Sequence, residues 1–146
     1  MLGSHVFRFG GHGEPEPVGL PLIPIRIARP GQARSLPFNA ILDTGSTQTV
    51  IPAAMYEVAG GEPSGDRRQL RTGGGPVEGW DAAIDLHIVD SHLPSVVCWS
   101  FEGAGVFVAE DEADFPLAVL GWDLLGNFEL KINRELGFIE LKSLRP

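Results

Sequence analysis

An all-β chain closed into a small barrel, with a long hairpin and one short helix near the C-terminus, is the fold this sequence predicts. Ile23, Ile25 and Ile27 alternate with Pro24, Arg26 and Ala28, and Ala82, Ile84, Leu86 and Ile88 repeat the same period of two, the signature of strands with a buried face. Turn residues recur at short, regular spacing between such runs, foremost Gly73-Gly74-Gly75-Pro76, which suits a barrel of short strands.

The elements follow in order. Residues 1–20 read as a flexible N-terminal arm, because Gly10, Gly11, Gly13, Pro15 and Pro17 resist regular structure; within it His5 to Phe9 could form a short edge strand available to a dimer. Residues 21–146 read as one domain. The strand around Ile25 carries Pro24, which favours a sheet edge because proline brings no N–H to a ladder. After a turn over Arg29 to Ser35, Phe38 to Leu42 predicts a strand running into Asp43, with Val50-Ile51 continuing it beyond a tight turn. Pro52 can open a short helix that Gly60-Gly61 closes. Arg67 to Thr72 and Val77 to Ile88 predict a long hairpin about the glycine run. Further short strands are expected at Val96 to Phe101, Val106 to Val108 and Ala118 to Leu120. One helical turn is expected within Asp123 to Phe128, then a closing hairpin of Glu129 to Asn133 with Phe138 to Leu141.

Composition narrows the function. The chain has 146 residues, 43% of them hydrophobic and 21% charged, which is enough for a single core. Nineteen acidic against eleven basic side chains give a net charge of −8, and the basic residues are scattered, which argues against nucleic acid as a partner. No apolar run approaches the roughly 20 residues that span a bilayer, and the N-terminus lacks the layout of a secretion signal, so no membrane partner is implied and the cytoplasm is the expected location. Cys98 stands alone and reads as a buried, inert thiol. His5, His12, His87 and His92 have no metal-type spacing and read as surface or edge-strand residues, and Glu110, Asp111, Glu112 and Asp114 lack the glycine-punctuated pattern of a calcium loop and read as a solvated surface. Trp80, Trp99 and Trp122 read as packing or interface residues. No cofactor or metal is implied.

The chemistry is concentrated in Asp43-Thr44-Gly45-Ser46. The tripeptide alone says little, but here it leaves the apolar run Ala40-Ile41-Leu42 and runs on to Val50-Ile51, the setting a carboxylate needs to stand rigidly at the end of a buried strand, on a turn that Gly45 permits. This stretch resembles the active-site turn of aspartic proteases. Ala118-Val119-Leu120-Gly121-Trp122-Asp123-Leu124-Leu125 looks like their second block, apolar residues and a glycine before a short helix. The order and separation of the two blocks are similar to those of retropepsins, the single-domain retroviral type. The hairpin at Gly73, Gly74, Gly75 and Val77 resembles the flap that closes over substrate in that family. The likeness spans residues 21–141.

The resemblance implies a closed retropepsin-like barrel and an aspartic endopeptidase. Two carboxylates about 3 Å apart cannot both ionise, so in that family they share a proton, one acting as base on a water and the other as acid toward the substrate carbonyl. This sequence holds one Asp-Thr-Gly and no Asp-Ser-Gly, so the second carboxylate has to be Asp43 of another copy, and a homodimer acting on peptide or protein substrates is implied. By the same resemblance Thr44 would hydrogen-bond across the two-fold axis, Gly45 would offer backbone groups to substrate, and Ser46 would donate its hydroxyl to Asp43, favouring an acidic pH optimum. Asp123, at a helix start, predicts a capping role. Ile51, Val77, Phe115, Leu117 and Val119 are the expected apolar lining of the cleft.

Two positions depart from the retroviral pattern. Thr47 stands where those enzymes usually carry an acidic residue and Trp122 where they carry a basic one, so the ion pair between them is lost as a unit and no unpaired charge is left. This moves the likeness toward cellular and bacterial relatives. Two other readings are compatible with the sequence: a catalytically silent dimerisation or peptide-binding module in which Asp43 is a structural turn residue, and an unrelated small-ligand barrel.

Overall fold

The computed structural model describes residues 3–8, 20–63, 65–111 and 113–145. Its elements are β1 (Ser4–Arg8), β2 (Leu22–Ala28), β3 (Phe38–Leu42), β4 (Val50–Pro52), α1 (Ala53–Val58), β5 (Arg67–Thr72), β6 (Gly75–Val89), β7 (Val97–Ala109), β8 (Ala118–Leu120), α2 (Trp122–Leu125), β9 (Phe128–Asn133) and β10 (Phe138–Ser143). The main sheet runs β2-β3-β8-β4-β7-β6-β5, and β2 also pairs with β6, so six strands close into a barrel and β5 is left outside as an edge. Closure depends on β2 serving two neighbours in succession: Leu22 to Ile25 face β3, and Ile25 to Ala28 face β6. Pro24 lies in the half paired only with β3, opposite Asn39, so β2 is interior to the sheet while its proline still occupies a one-sided stretch.

The alternation read from the sequence holds in β6, where Ile84, Leu86 and Ile88 are buried. In β2 it is exceeded: Pro24 and Ala28 are buried along with the three isoleucines, so this strand is covered on both faces rather than one. Fully burying each such aliphatic side chain contributes roughly 1.5–3 kcal/mol. Part of the cover comes from a second sheet, β1-β10-β9, whose Phe7, Ile139 and Leu141 are fully buried and belong to the same core as Ile23, Ile25 and Ile27. The arm expected to be loose therefore contributes a fixed strand, Ser4–Arg8, paired antiparallel with β10 of its own chain. Phe9, His12 and the glycine- and proline-rich stretch lie outside the described residues.

The two short runs expected at Val96 to Phe101 and Val106 to Val108 are one strand, β7. Between them Glu102 and Gly103 form a bulge opposite Asp85, with Gly103 at φ +61°. The Asp85 carboxylate accepts the Gly103 N–H at 2.9 Å and the Gly31 N–H at 3.2 Å, and these backbone bonds hold it below the usual carboxylate range. Pro52 precedes α1 in extended conformation, and Gly60, at φ +86°, follows its end, as expected. The turn of the long hairpin is tighter than the four-residue run suggested, because Thr72 already pairs with Gly75.

Trp80 and Trp99 are buried, Trp99 edge-to-face on Phe128, whereas Trp122 is 46% exposed. His5 Nε2 lies 2.8 Å from Asp90 Oδ1, and His87 Nδ1 2.8 Å from Ser100 Oγ. Cys98 is buried, and desolvation first, with Asp90 second, pushes its thiol up to about 11. No helix among the described residues is long and apolar enough to cross a membrane.

Candidate active site

The parallel pairing of β3 with β8 sets Leu42 level with Leu120. One further rung, Asp43 N–H to the Leu120 carbonyl at 3.1 Å, carries the pairing to the point where the chain turns away. The turn closes with Ser46 N–H donating to the Asp43 carbonyl at 3.2 Å, and Gly45 N–H donating to Asp43 Oδ1 at 2.9 Å. A Cβ on Gly45 would stand 3.2 Å from that same oxygen, a tight fit that explains glycine there. Asp43, Thr44 and Gly45 are exposed, at the end of a strand whose Leu42 and Leu120 are buried.

The segment after the turn is clamped by the second block. Trp122 N–H donates to the Ser46 carbonyl at 2.9 Å and Asp123 N–H to the Thr47 carbonyl at 3.3 Å. Thr49, fully buried, donates its hydroxyl to Asp123 Oδ1 at 2.7 Å and its N–H to Oδ2 at 3.0 Å, while its Oγ1 accepts the Gly121 N–H at 3.2 Å. Gly121 lies so close to Gln48 that a Cβ would meet backbone atoms at 2.6–2.8 Å.

Three expectations are corrected here. Asp123 is not the cap of its helix: Gly121 holds that position without a side-chain cap, and the carboxylate instead binds Thr49, with a further bond from Leu124 N–H at 2.9 Å. The Ser46 hydroxyl donates to the Gln48 carbonyl at 2.7 Å rather than to Asp43, so the argument for an acidic optimum from that donor falls. Ile51 is fully buried in the larger core and is not among the described residues lining the cleft beside Asp43. Thr49 was missed by sequence reasoning; its signal was a hydroxyl set directly before the apolar pair Val50-Ile51. The part taken by Trp122 was missed as well: its indole N–H donates to the Thr44 carbonyl, so a neutral donor braces the turn without a charged partner at Thr47.

Above the turn stands the β5–β6 hairpin, tipped by Gly73 and Gly74 and stiffened by Thr72, whose hydroxyl donates to the Gly75 carbonyl at 2.7 Å and accepts the Gly74 N–H at 3.3 Å. Between hairpin and turn lies a cleft of about 380 Å³. Asp43, Gly45, Ser46 and Gln48 are on its floor, Leu70 to Gly73 border it from the hairpin, and Phe115 contributes an apolar wall. Gly74, Gly75 and Val77 lie outside this lining. Val77 is buried in a small apolar cluster with Val50, Phe107, Ala109 and Val119, against which Leu70 and Phe115 pack, and Leu117 is half-buried. Arg68 fastens the foot of the hairpin: Nε and Nη2 donate to the Asp81 carboxylate at 2.7 Å each, Nη2 also reaches Gln48 Oε1 at 3.1 Å, and the guanidinium sits 4.8 Å over the Phe107 ring. The bond from Arg68 holds Asp81 below the usual carboxylate range. Glu110 pairs with Arg67, and among the described residues no group of three or more His, Cys, Asp or Glu could hold a metal ion.

Residues 28–124 match the family model described as aspartyl protease. A retropepsin-like aspartic protease from Rickettsia conorii superimposes with a TM-score of 0.65 at 14% identity, over 97% of this chain and 100% of that one. The EIAV protease, solved in complex with the inhibitor HBY-793, gives 0.50 at 23% identity, over 73% of this chain and 86% of that one. No curated protein sequence matches the chain. At these identities the likeness is one of fold, and the fold is retropepsin-like.

Proposed function

This chain belongs to the aspartyl protease family, and from that premise we propose that it is an active endopeptidase, cutting peptide bonds in extended segments as a homodimer with one Asp43 from each subunit. The observation that carries the reading is the exposed Asp43 carboxylate on the floor of a cleft, held on a turn that hydrogen bonds tie to Leu120 and Trp122. A second copy related by a two-fold axis would bring the two carboxylates together, and they would share one proton. The ionised member takes a proton from a water as it attacks the scissile carbonyl, and the protonated member gives its proton to the carbonyl oxygen. Thr44 would bond across the axis, and Gly45, which already spends its N–H on Asp43, would offer substrate its carbonyl.

The roof would serve as the flap. Strand β5 is the free edge of the sheet, so its backbone can take an extended peptide as one more strand. Leu70 and Phe115 on the cleft wall favour apolar side chains beside the cut. The competing reading, a silent dimerisation or peptide-binding module, keeps the cleft and drops the chemistry.

Cleavage mapping of a diverse peptide mixture from pH 3 to pH 7 separates the two. The proposal expects cuts between apolar residues by the wild-type chain and none by Asp43→Asn, with both forms sedimenting as dimers. Cuts that persist in Asp43→Asn, or a wild-type chain that stays monomeric while cutting, would sink it.

A further inference from the structure

Arg71 is the cation of the cleft, and every other polar side chain of its strand up to that point is already engaged. Along β5, Arg67 pairs with Glu110, Arg68 is held by Asp81 and Gln48, and Gln69 donates to Glu78 Oε1 at 2.6 Å. Arg71 faces Pro76 across the hairpin, whose side chain has no polar group, and the exposed Arg71 has no side-chain hydrogen bond or ion pair among the described residues. It borders the cleft that holds Asp43, and these two are the only charged residues among the described lining. In a chain of net charge −8, an unpaired arginine at that place is a local reversal of sign.

We propose that Arg71 selects peptides carrying a carboxylate near the cut, supplied by an Asp or Glu side chain outside the apolar pair that flanks the scissile bond. The inference rests on the peptide-cleaving reading above and adds a charge requirement to it. A planar guanidinium with five donors can take a carboxylate in two parallel bonds, a geometry lysine reproduces only in part. A peptide lying along the β5 edge would carry its side chains past Arg71 at strand spacing, so a single position should feel the charge.

The test compares the full-length wild type with Arg71→Glu, Arg71→Gln and Arg71→Lys. Each is given end-capped peptides that share an apolar cut site and carry Glu, Gln or Lys at each flanking position, plus an uncapped set with a free C-terminus. The expected result is one position at which Glu is preferred over Gln about fivefold to tenfold in kcat/KM. That preference should be retained in part by Arg71→Lys, lost in Arg71→Gln and turned toward Lys in Arg71→Glu. Cleavage with no acidic preference, or a preference unmoved in Arg71→Glu, overturns the proposal and leaves the protease reading standing. A preference confined to uncapped peptides assigns the carboxylate to a substrate terminus and overturns the side-chain source. If the wild type cuts nothing, the protease reading fails, and the same peptides in a fluorescence-anisotropy binding assay decide the charge preference: tighter binding of Glu peptides that inverts in Arg71→Glu supports it, and equal or absent binding overturns it.

Discussion

Gly121, packed behind the floor of the cleft, and Gly73, on its roof, are glycines for opposite reasons. At Gly121 a Cβ would press on the Gln48 backbone at 2.6–2.8 Å, while at Gly73 nothing lies within 4 Å. The floor uses glycine to bring two segments into contact; the roof uses it to leave a turn unencumbered. The same contrast runs through the polar groups. Below, the bonds join residues far apart in sequence and include a fully buried threonine. Above, Thr72 braces its own turn, and only the foot of the hairpin, through Arg68, reaches the floor. One half of the cleft is tied to distant parts of the chain, and the tip of the other is bonded within its own turn.

Breaking the floor should cost most. Gly121→Ala is expected to lower unfolding free energy by about 3 kcal/mol, since backbone rather than a flexible side chain must give way; a denaturant midpoint within error of wild type would remove the claim of close contact. Thr49→Val keeps the volume but strips Asp123 of a donor and leaves the Gly121 N–H unpaired, a loss of about 1–3 kcal/mol. Cleavage should fall with it, and a stable but inactive variant would show that the bond positions the turn more than it stabilises the fold.

The link between the two halves is weaker. Asp81 is depressed by Arg68, so its contribution is complete above the ordinary carboxylate value of 3.8 and fades as pH falls through the lowered one. Asp81 is exposed and Arg68 partly so, and the pair contributes less than about 1 kcal/mol. The stability difference between wild type and Asp81→Asn should therefore be small at pH 6 and vanish in strong acid; a difference that grows on acidification would reverse the assignment. Smallest of all, Gly73→Ala should change stability by no more than about 0.5 kcal/mol. A loss several times larger would mean the tip is packed rather than open.

Local pattern carried much of this into the sequence. Alternating isoleucines marked β2 and β6, Pro52 and Gly60 framed α1, and the glycine run marked the hairpin, because each is a property of neighbouring residues. What stayed hidden is long-range. Nothing near Ser4 announces pairing with β10, and nothing near Asp123 distinguishes a carboxylate that caps its own helix from one that holds a threonine 74 residues away. The bulge at Glu102-Gly103 read as the end of a strand because its compensating partner, Asp85, lies on β6. Arg71 was invisible for a related reason: a free arginine differs from a paired one only in what its neighbours have already bonded.

The pairing of β3 with β8 also sets an order of events. A ribosome delivers Asp43, Thr44 and Gly45 long before it delivers Leu120 to Asp123, and until then the turn lacks both its last ladder rung and its clamp. Contacts of such separation form late and slowly, because the intervening chain must be gathered first. A nascent or truncated chain would thus carry Asp43, Thr44 and Gly45 without the bonds that set their turn, and maturation of the cleft would coincide with completion of the barrel.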